Sequence, residues 1–103
     1  MEELKSIDQL KEGTVFVELY SENCSNCKKQ AKITEALIKD YPTIRFFQSD
    51  SENTIGCGLC EEHELMQAPS MLIYEDGKLI KKFGGLTVPN KLKEILNEVD
   101  QCK

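Results

Sequence analysis

Val15-Phe16-Val17-Glu18-Leu19-Tyr20-Ser21-Glu22-Asn23-Cys24-Ser25-Asn26-Cys27-Lys28 joins a strand pattern to a helix start. Residues 14–20 are apolar on both alternating faces, as a strand covered on both sides of a parallel sheet requires, with Glu18 the exception. Beyond the polar turn Ser21-Glu22-Asn23, Ile33, Ala36, Leu37 and Tyr41 recur at helical spacing from about Asn26 to Tyr41, and Pro42 stops the helix. Ile44-Arg45-Phe46-Phe47-Gln48 reads as a second strand, which completes a β-α-β unit with a right-handed crossover. Cys24 and Cys27 stand at the strand-to-helix junction of that unit.

Outward from this unit, Ser6 and Gln9 have the spacing of a capping box, so residues 6 to 12 read as a small helix ended by Gly13, preceded by a short edge strand over residues 2 to 5. Asp50 through Gly58 reads as a polar loop, and Leu59 to Met66 as a short acidic helix, with Cys57 and Cys60 at their junction. Ser70-Met71-Leu72-Ile73-Tyr74 and Leu79-Ile80-Lys81-Lys82-Phe83 flank a Gly77 turn as a hairpin, which Gly84-Gly85 ends. From Thr87 as N-cap, Val88, Leu92, Ile95, Leu96 and Val99 mark one face of a closing helix.

At 103 residues and 40% hydrophobic content, the chain is expected to form a single α/β domain spanning residues 1–103. Its 13 Lys and Arg are scattered among 18 Asp and Glu, for a net charge of −5, which argues against nucleic acid as a partner. No apolar run is long enough for a membrane span, and Met1-Glu2-Glu3 lacks the basic and apolar regions of a signal peptide. A cytoplasmic location without membrane partners is the expectation.

Four of the five cysteines form two C-x-x-C units, Cys24/Cys27 and Cys57/Cys60, a pattern of redox chemistry or metal binding. At a helix start, backbone N–H groups and the helix dipole favour a thiolate, and Lys28 and Lys29 add positive potential. Cys24 is therefore the more acidic thiol, and the spacing permits a reversible disulfide with Cys27. A half zinc site or two structural thiols are the alternatives.

The quoted segment resembles the active-site segment of thioredoxins, and Ala68-Pro69-Ser70-Met71-Leu72-Ile73-Tyr74 resembles their cis-proline strand. The resemblance continues through Asp76-Gly77 to Gly85 and covers nearly the whole chain. It implies a thioredoxin fold, a central mixed β-sheet flanked by helices on both sides. It also implies a nucleophilic Cys24, a resolving Cys27, Glu18 as a buried acid beneath the disulfide, and a cis peptide before Pro69. Asn23, Ala68, Pro69 and Gly85 would make the substrate-binding surface. The departures are Asn23 where thioredoxins usually have Trp, Ser25-Asn26 in place of Gly-Pro, and Phe46 near the place of a lysine that pairs with the buried acid.

Glu18 has two readings. Buried and unpaired, its carboxyl would titrate late enough to exchange protons with Cys27; alternatively, it reaches water at the strand end or pairs with a lysine. Cys57 and Cys60 have three: an accessory redox couple whose thiol pKa values Glu61, Glu62 and Glu64 hold up, a structural pair, or half of a four-cysteine zinc or iron site with Cys24 and Cys27. His63 is expected at the surface, Met66 and Met71 in the core or groove, and Cys102 as a free terminal thiol.

The expected function is a cytoplasmic thiol-disulfide oxidoreductase that reduces protein disulfides, serving electron transport and cell redox homeostasis. Its expected partners are disulfide-bearing proteins and a thioredoxin-reductase-like electron donor. It is expected to be a monomer and to need no cofactor and no metal. The rival readings are a four-cysteine metal module and a non-catalytic interaction domain of the same fold.

Overall fold

The computed structural model describes residues 1–101, so the thiol expected at Cys102 lies outside the described residues. Five strands, β1 (Glu2–Glu3), β2 (Thr14–Tyr20), β3 (Ile44–Asp50), β4 (Ser70–Glu75) and β5 (Lys78–Gly84), form one sheet in the order β1-β3-β2-β4-β5. β1, β3 and β2 run parallel, whereas β4 is antiparallel to β2 and β5 to β4. The sheet is therefore mixed. The long helices are α1 (Ser25–Leu37), α2 (Thr54–Glu62) and α3 (Pro89–Gln101).

β2 is central, with β3 on one side and β4 on the other, which explains why its sequence is apolar on both faces. Phe16 joins Phe46, Met71 and Ile73 under the side chains of α1 and α3, chiefly Leu37, Leu92, Leu96 and Val99. On the opposite face Val15, Val17 and Leu19 pack with Phe47, Leu72, Tyr74 and Leu59 of α2, and with Leu4 and Leu10. Helices cover both faces, and α1 and α2 lie on opposite ones.

Several sequence expectations need correction. The capping box of Ser6 and Gln9 is present, but it starts a 3-10 turn over Ile7–Leu10 rather than a helix to residue 12. α1 ends at Leu37 and tightens into a 3-10 turn over Ile38–Asp40 before Pro42. Its buried residues are Cys27, Gln30, Thr34 and Leu37, while Ala36 is exposed, so the inward face is rotated from the apolar stripe and carries two polar side chains. The closing helix starts at Pro89, and the Leu92 amide donates to the Val88 carbonyl, one residue beyond the expected Thr87 cap.

The largest displacement is at α2, which spans Thr54–Glu62 where a loop to Gly58 was expected. The Asn53 side chain caps it by accepting from the Gly56 amide at 2.7 Å, and Glu64 at φ 55 closes its far end. Gly56 is there for close approach: a Cβ would stand 2.0 Å from the Asp50 carbonyl oxygen. The glycines of this segment are thus helical, not loop hinges. His63 is drawn inward, its Nε2 2.7 Å from the Tyr74 hydroxyl, and of the two places expected for Met66 the core is excluded: it is 95% exposed and borders a surface cleft.

Candidate active site

β2 delivers the chain into a turn in which exposed Asn23 takes φ 59, a left-handed conformation that Asn tolerates better than most residues. Cys24 follows as the N-cap of α1, and the Cys27 amide donates to its Sγ at 3.2 Å. The two cysteines are disulfide-bonded, with Cα atoms 5.2 Å apart. In the reduced chain, that amide and the helix terminus favour a thiolate at Cys24. Cys24 is half-buried, whereas Cys27 is 4% exposed. The pair has one accessible sulfur and one shielded sulfur.

Facing Cys24 is the turn into β4. The Ala68–Pro69 peptide is cis, and the Ala68 carbonyl oxygen lies 3.8 Å from Cys24 Sγ. The Gly85 amide donates to the Pro69 carbonyl at 2.9 Å, with Gly85 at φ 81, where a side chain would be strained. Residues distant in sequence, Cys24, Ala68, Pro69 and Gly85, are therefore gathered at one end of the sheet.

Glu18 precedes them on β2, 1% exposed. Its Oε1 accepts from Thr34 Oγ1 at 2.6 Å, so neither alternative holds: it neither reaches the surface nor forms an ion pair among the described residues. Phe46, near the place where a lysine partner would come, instead packs on Phe16 with ring centroids 5.1 Å apart. Burial pushes the Glu18 carboxyl up to about 7; the Thr34 hydrogen bond opposes this, and the charge of Glu35 adds to it. Glu18 and Cys27 line the same cavity of about 560 Å³, with Tyr20, Asn23, Lys28 and Gln48 among its other walls. A buried acid that titrates near neutrality thus shares a cavity with the shielded sulfur.

The family model described as Thioredoxin matches residues 2–98. The chain belongs to the thioredoxin family. Among curated relatives, the thioredoxin of Mycoplasmoides gallisepticum is 29% identical over 82 residues, covering 80% of each chain. That of Chlamydia trachomatis is 22% identical over 91 residues, covering 88% of this chain and 87% of the relative. Among solved structures, oxidised thioredoxin from Plasmodium falciparum superposes at a TM-score of 0.84 with 19% identity, covering 97% of this chain and 98% of that one. Mitochondrial thioredoxin 3 from Saccharomyces cerevisiae gives 0.81 with 22% identity, covering 95% and 94%. Membership of the thioredoxin family, together with the Cys24–Cys27 disulfide, makes the protein a thiol-disulfide oxidoreductase.

Outside the thioredoxin motif, Cys57 and Cys60 lie within α2, Cys57 exposed and Cys60 partly so. With Glu61, Glu64, Leu65 and Met66 they line a shallow cleft of about 550 Å³. The Cys60 thiol is pushed up by burial first and by Cys57 second, not by the acidic side chains to which sequence reasoning attributed it. The four cysteines do not converge. The pairs lie on helices covering opposite faces of the sheet, and no group of three or more Cys, His, Asp or Glu among the described residues is placed to hold a metal.

Sequence reasoning missed Gln30 and Thr34, the polar partners that lead to Glu18. A signal existed: Cys27, Gln30, Thr34 and Leu37 follow helical i, i+3, i+7, i+10 spacing. It was hidden because two of the four are polar.

Proposed function

We propose that the protein reduces disulfides in protein substrates, with electrons resupplied by a thioredoxin-reductase-like donor. The observation that carries this is the asymmetry of the pair: Cys24 is partly accessible with the Cys27 amide donating to its sulfur, and Cys27 is enclosed in the cavity it shares with Glu18. The Cys24 thiolate attacks one sulfur of the substrate disulfide and expels the other as a thiolate, which takes a proton from water. Cys27 then gives its proton to Glu18 and attacks Cys24 Sγ, breaking the mixed disulfide, releasing the second substrate sulfur as a thiolate that takes a proton from water, and leaving the Cys24–Cys27 disulfide. Two electrons have passed to substrate, and the donor must return two. Asn23, Ala68, Pro69 and Gly85 form the surface on which substrate backbone docks. The protein works as a cytoplasmic monomer.

Glu18→Gln removes the proton acceptor and is expected to slow turnover at pH 6 to 8 while leaving the fold intact; unchanged turnover over that range would assign Glu18 to structure alone. Stability gives a second reading with a fixed sign. The folded carboxyl titrates at about 7 against an ordinary 4.5, so its contribution to stability is complete below pH 4.5 and is lost as pH rises through 7. The gap corresponds to on the order of 3 kcal/mol. Urea titrations should therefore find Glu18→Gln more stable than the parent at pH 8, with the advantage gone below about pH 4.5.

Cys57 and Cys60 serve as an accessory couple in this reading, supported by their i, i+3 spacing on one helix and by the exposure of Cys57. The double variant Cys57→Ser/Cys60→Ser is expected to keep basic reductase activity and to lose a second two-electron step in a redox titration read by alkylation and mass spectrometry. Permanently reduced Cys57 and Cys60 in the parent would remove the accessory role. Metal analysis on the same sample tests the four-cysteine alternative, which requires stoichiometric zinc or iron. An interaction domain without catalysis would show no disulfide reduction at all.

A further inference from the structure

Gln30 and Thr34 take no part in the exchange described above, yet both are fully enclosed, each 0% exposed. Buried amide and hydroxyl groups cost stability unless hydrogen bonds replace the lost water. Here they form one chain. The Thr87 amide donates to Gln30 Oε1 at 2.6 Å, Gln30 Nε2 donates to Thr34 Oγ1 at a longer 3.4 Å, and Thr34 Oγ1 donates to Glu18 Oε1 at 2.6 Å.

The direction of this chain is forced at its far end. A backbone amide only donates, so the Gln30 carbonyl oxygen must face Thr87 and its NH2 must face Thr34. Thr34 Oγ1 accepts from that NH2, which leaves its own proton for Glu18. The far end is itself held in place, because Thr87 Oγ1 donates to the Gly85 carbonyl at 3.2 Å and the Gly85 amide to Pro69 at 2.9 Å.

We infer that Gln30 and Thr34 are positioning residues for Glu18: they hold a hydroxyl proton on Oε1, so that Oε2 is the oxygen that takes up and returns the Cys27 proton. This rests on the relay role proposed for Glu18. Oε2 accepts no hydrogen bond from the described residues, and Glu18 shares its cavity with Cys27. When Cys27 attacks, its S–H bond breaks, the proton joins Oε2, the sulfur's electron pair forms the new bond to Cys24 Sγ, and the bond from Cys24 to the substrate sulfur breaks, releasing that sulfur as a thiolate. The Thr34 proton stays where it is.

The other groups around Glu18 do not supply this contact. Cys27 and Glu35 come from α1, the amino group of Met1 is paired with Glu35, and Tyr20, Glu22 and Lys28 line the cavity. The cross-strand neighbours, Gln48 on β3 and Met71 on β4, carry no charge. A hydrogen bond donated to a carboxylate favours its ionised form, so Thr34 opposes the effect of burial.

The test is a carbon-13 NMR titration of the Glu18 carboxyl, with the pH profile of disulfide reduction measured on the same proteins. Thr34→Val keeps the shape and deletes the hydroxyl. Its carboxyl midpoint is expected to rise by about one pH unit. An acid that titrates near 7 would then be about one-tenth ionised at pH 7 instead of about half. Reduction at pH 7 falls about fivefold and recovers as the pH is raised. Thr34→Ser returns the hydroxyl and restores both readings, and Gln30→Leu shifts the midpoint the same way by less. A parental midpoint in Thr34→Val, or failure of Thr34→Ser to restore it, overturns the inference. A moved midpoint with an unmoved activity profile upholds the positioning and removes the relay role of Glu18 instead. If circular dichroism shows Thr34→Val unfolded, the Gln30→Leu midpoint decides: a rise supports the inference and a parental value overturns it.

Discussion

Cys24→Ser is expected to abolish reduction of a protein disulfide, and Cys27→Ser is expected to accumulate a covalent complex with the substrate. The two outcomes differ because the sulfurs differ in access and in electrostatics. Cys24 is half-buried at the N-cap of α1 with an amide aimed at its sulfur, so in the proposed exchange it supplies the attacking thiolate. Its loss removes the first step and should lower the rate to that of the uncatalysed reaction. Cys27 is 4% exposed and in the proposed exchange acts only on the mixed disulfide, so its loss should leave the first step running and block the second. Non-reducing gels and mass spectrometry of the trapped species read this directly. Initial alkylation of Cys27 by a limiting reagent would reverse the assignment.

Gly56→Ala is expected to destabilise the protein strongly, although alanine is the better helix former. The added Cβ would stand 2.0 Å from the Asp50 carbonyl oxygen and 2.8 Å from its carbon, both backbone atoms at the end of β3 that no rotamer change moves aside. Either α2 lifts from the sheet, exposing Leu59, or β3 is pushed out of register with β2. Overpacking typically costs about 1–3 kcal/mol, and a backbone clash this close belongs at the top of that range or above it. For a domain of this size that lowers Tm by about 10 °C or more. Gly58→Ala is the control: it is in the same helix, nothing lies within 4 Å of its Cβ position, and a gain of about 0.5–1 kcal/mol is expected. Thermal unfolding of the two variants should move in opposite directions. A parental Tm for Gly56→Ala would mean that the α2 contact yields at no cost.

Much of the architecture was legible because it is written in local patterns. β2 matches its expected range, Thr14–Tyr20, since a central strand is apolar on both faces and a turn follows it at once. The hairpin of β4 and β5 was equally plain from two apolar runs around Asp76-Gly77. α2 was misplaced because two glycines and a polar start resemble a loop, and only the close approach to Asp50 shows why Gly56 stands in a helix. His63 lies on a polar segment, and its inward turn depends on Tyr74, which sits on another strand.

The sequence by itself determined that a C-x-x-C stands where a buried strand meets a helix and that an acid interrupts that strand, because both are read within a few neighbouring residues. The tertiary structure alone decided what the acid is. Glu18 titrates near 7 because β3, β4 and α1 exclude water from it, and among the described residues the one hydrogen bond to its carboxyl comes from Thr34, on a helix face that its polarity disguised. The groups that orient Thr34 extend to Thr87, 57 residues from Gln30. Burial and hydrogen-bond direction are set by whichever elements pack together, and no local pattern carries them.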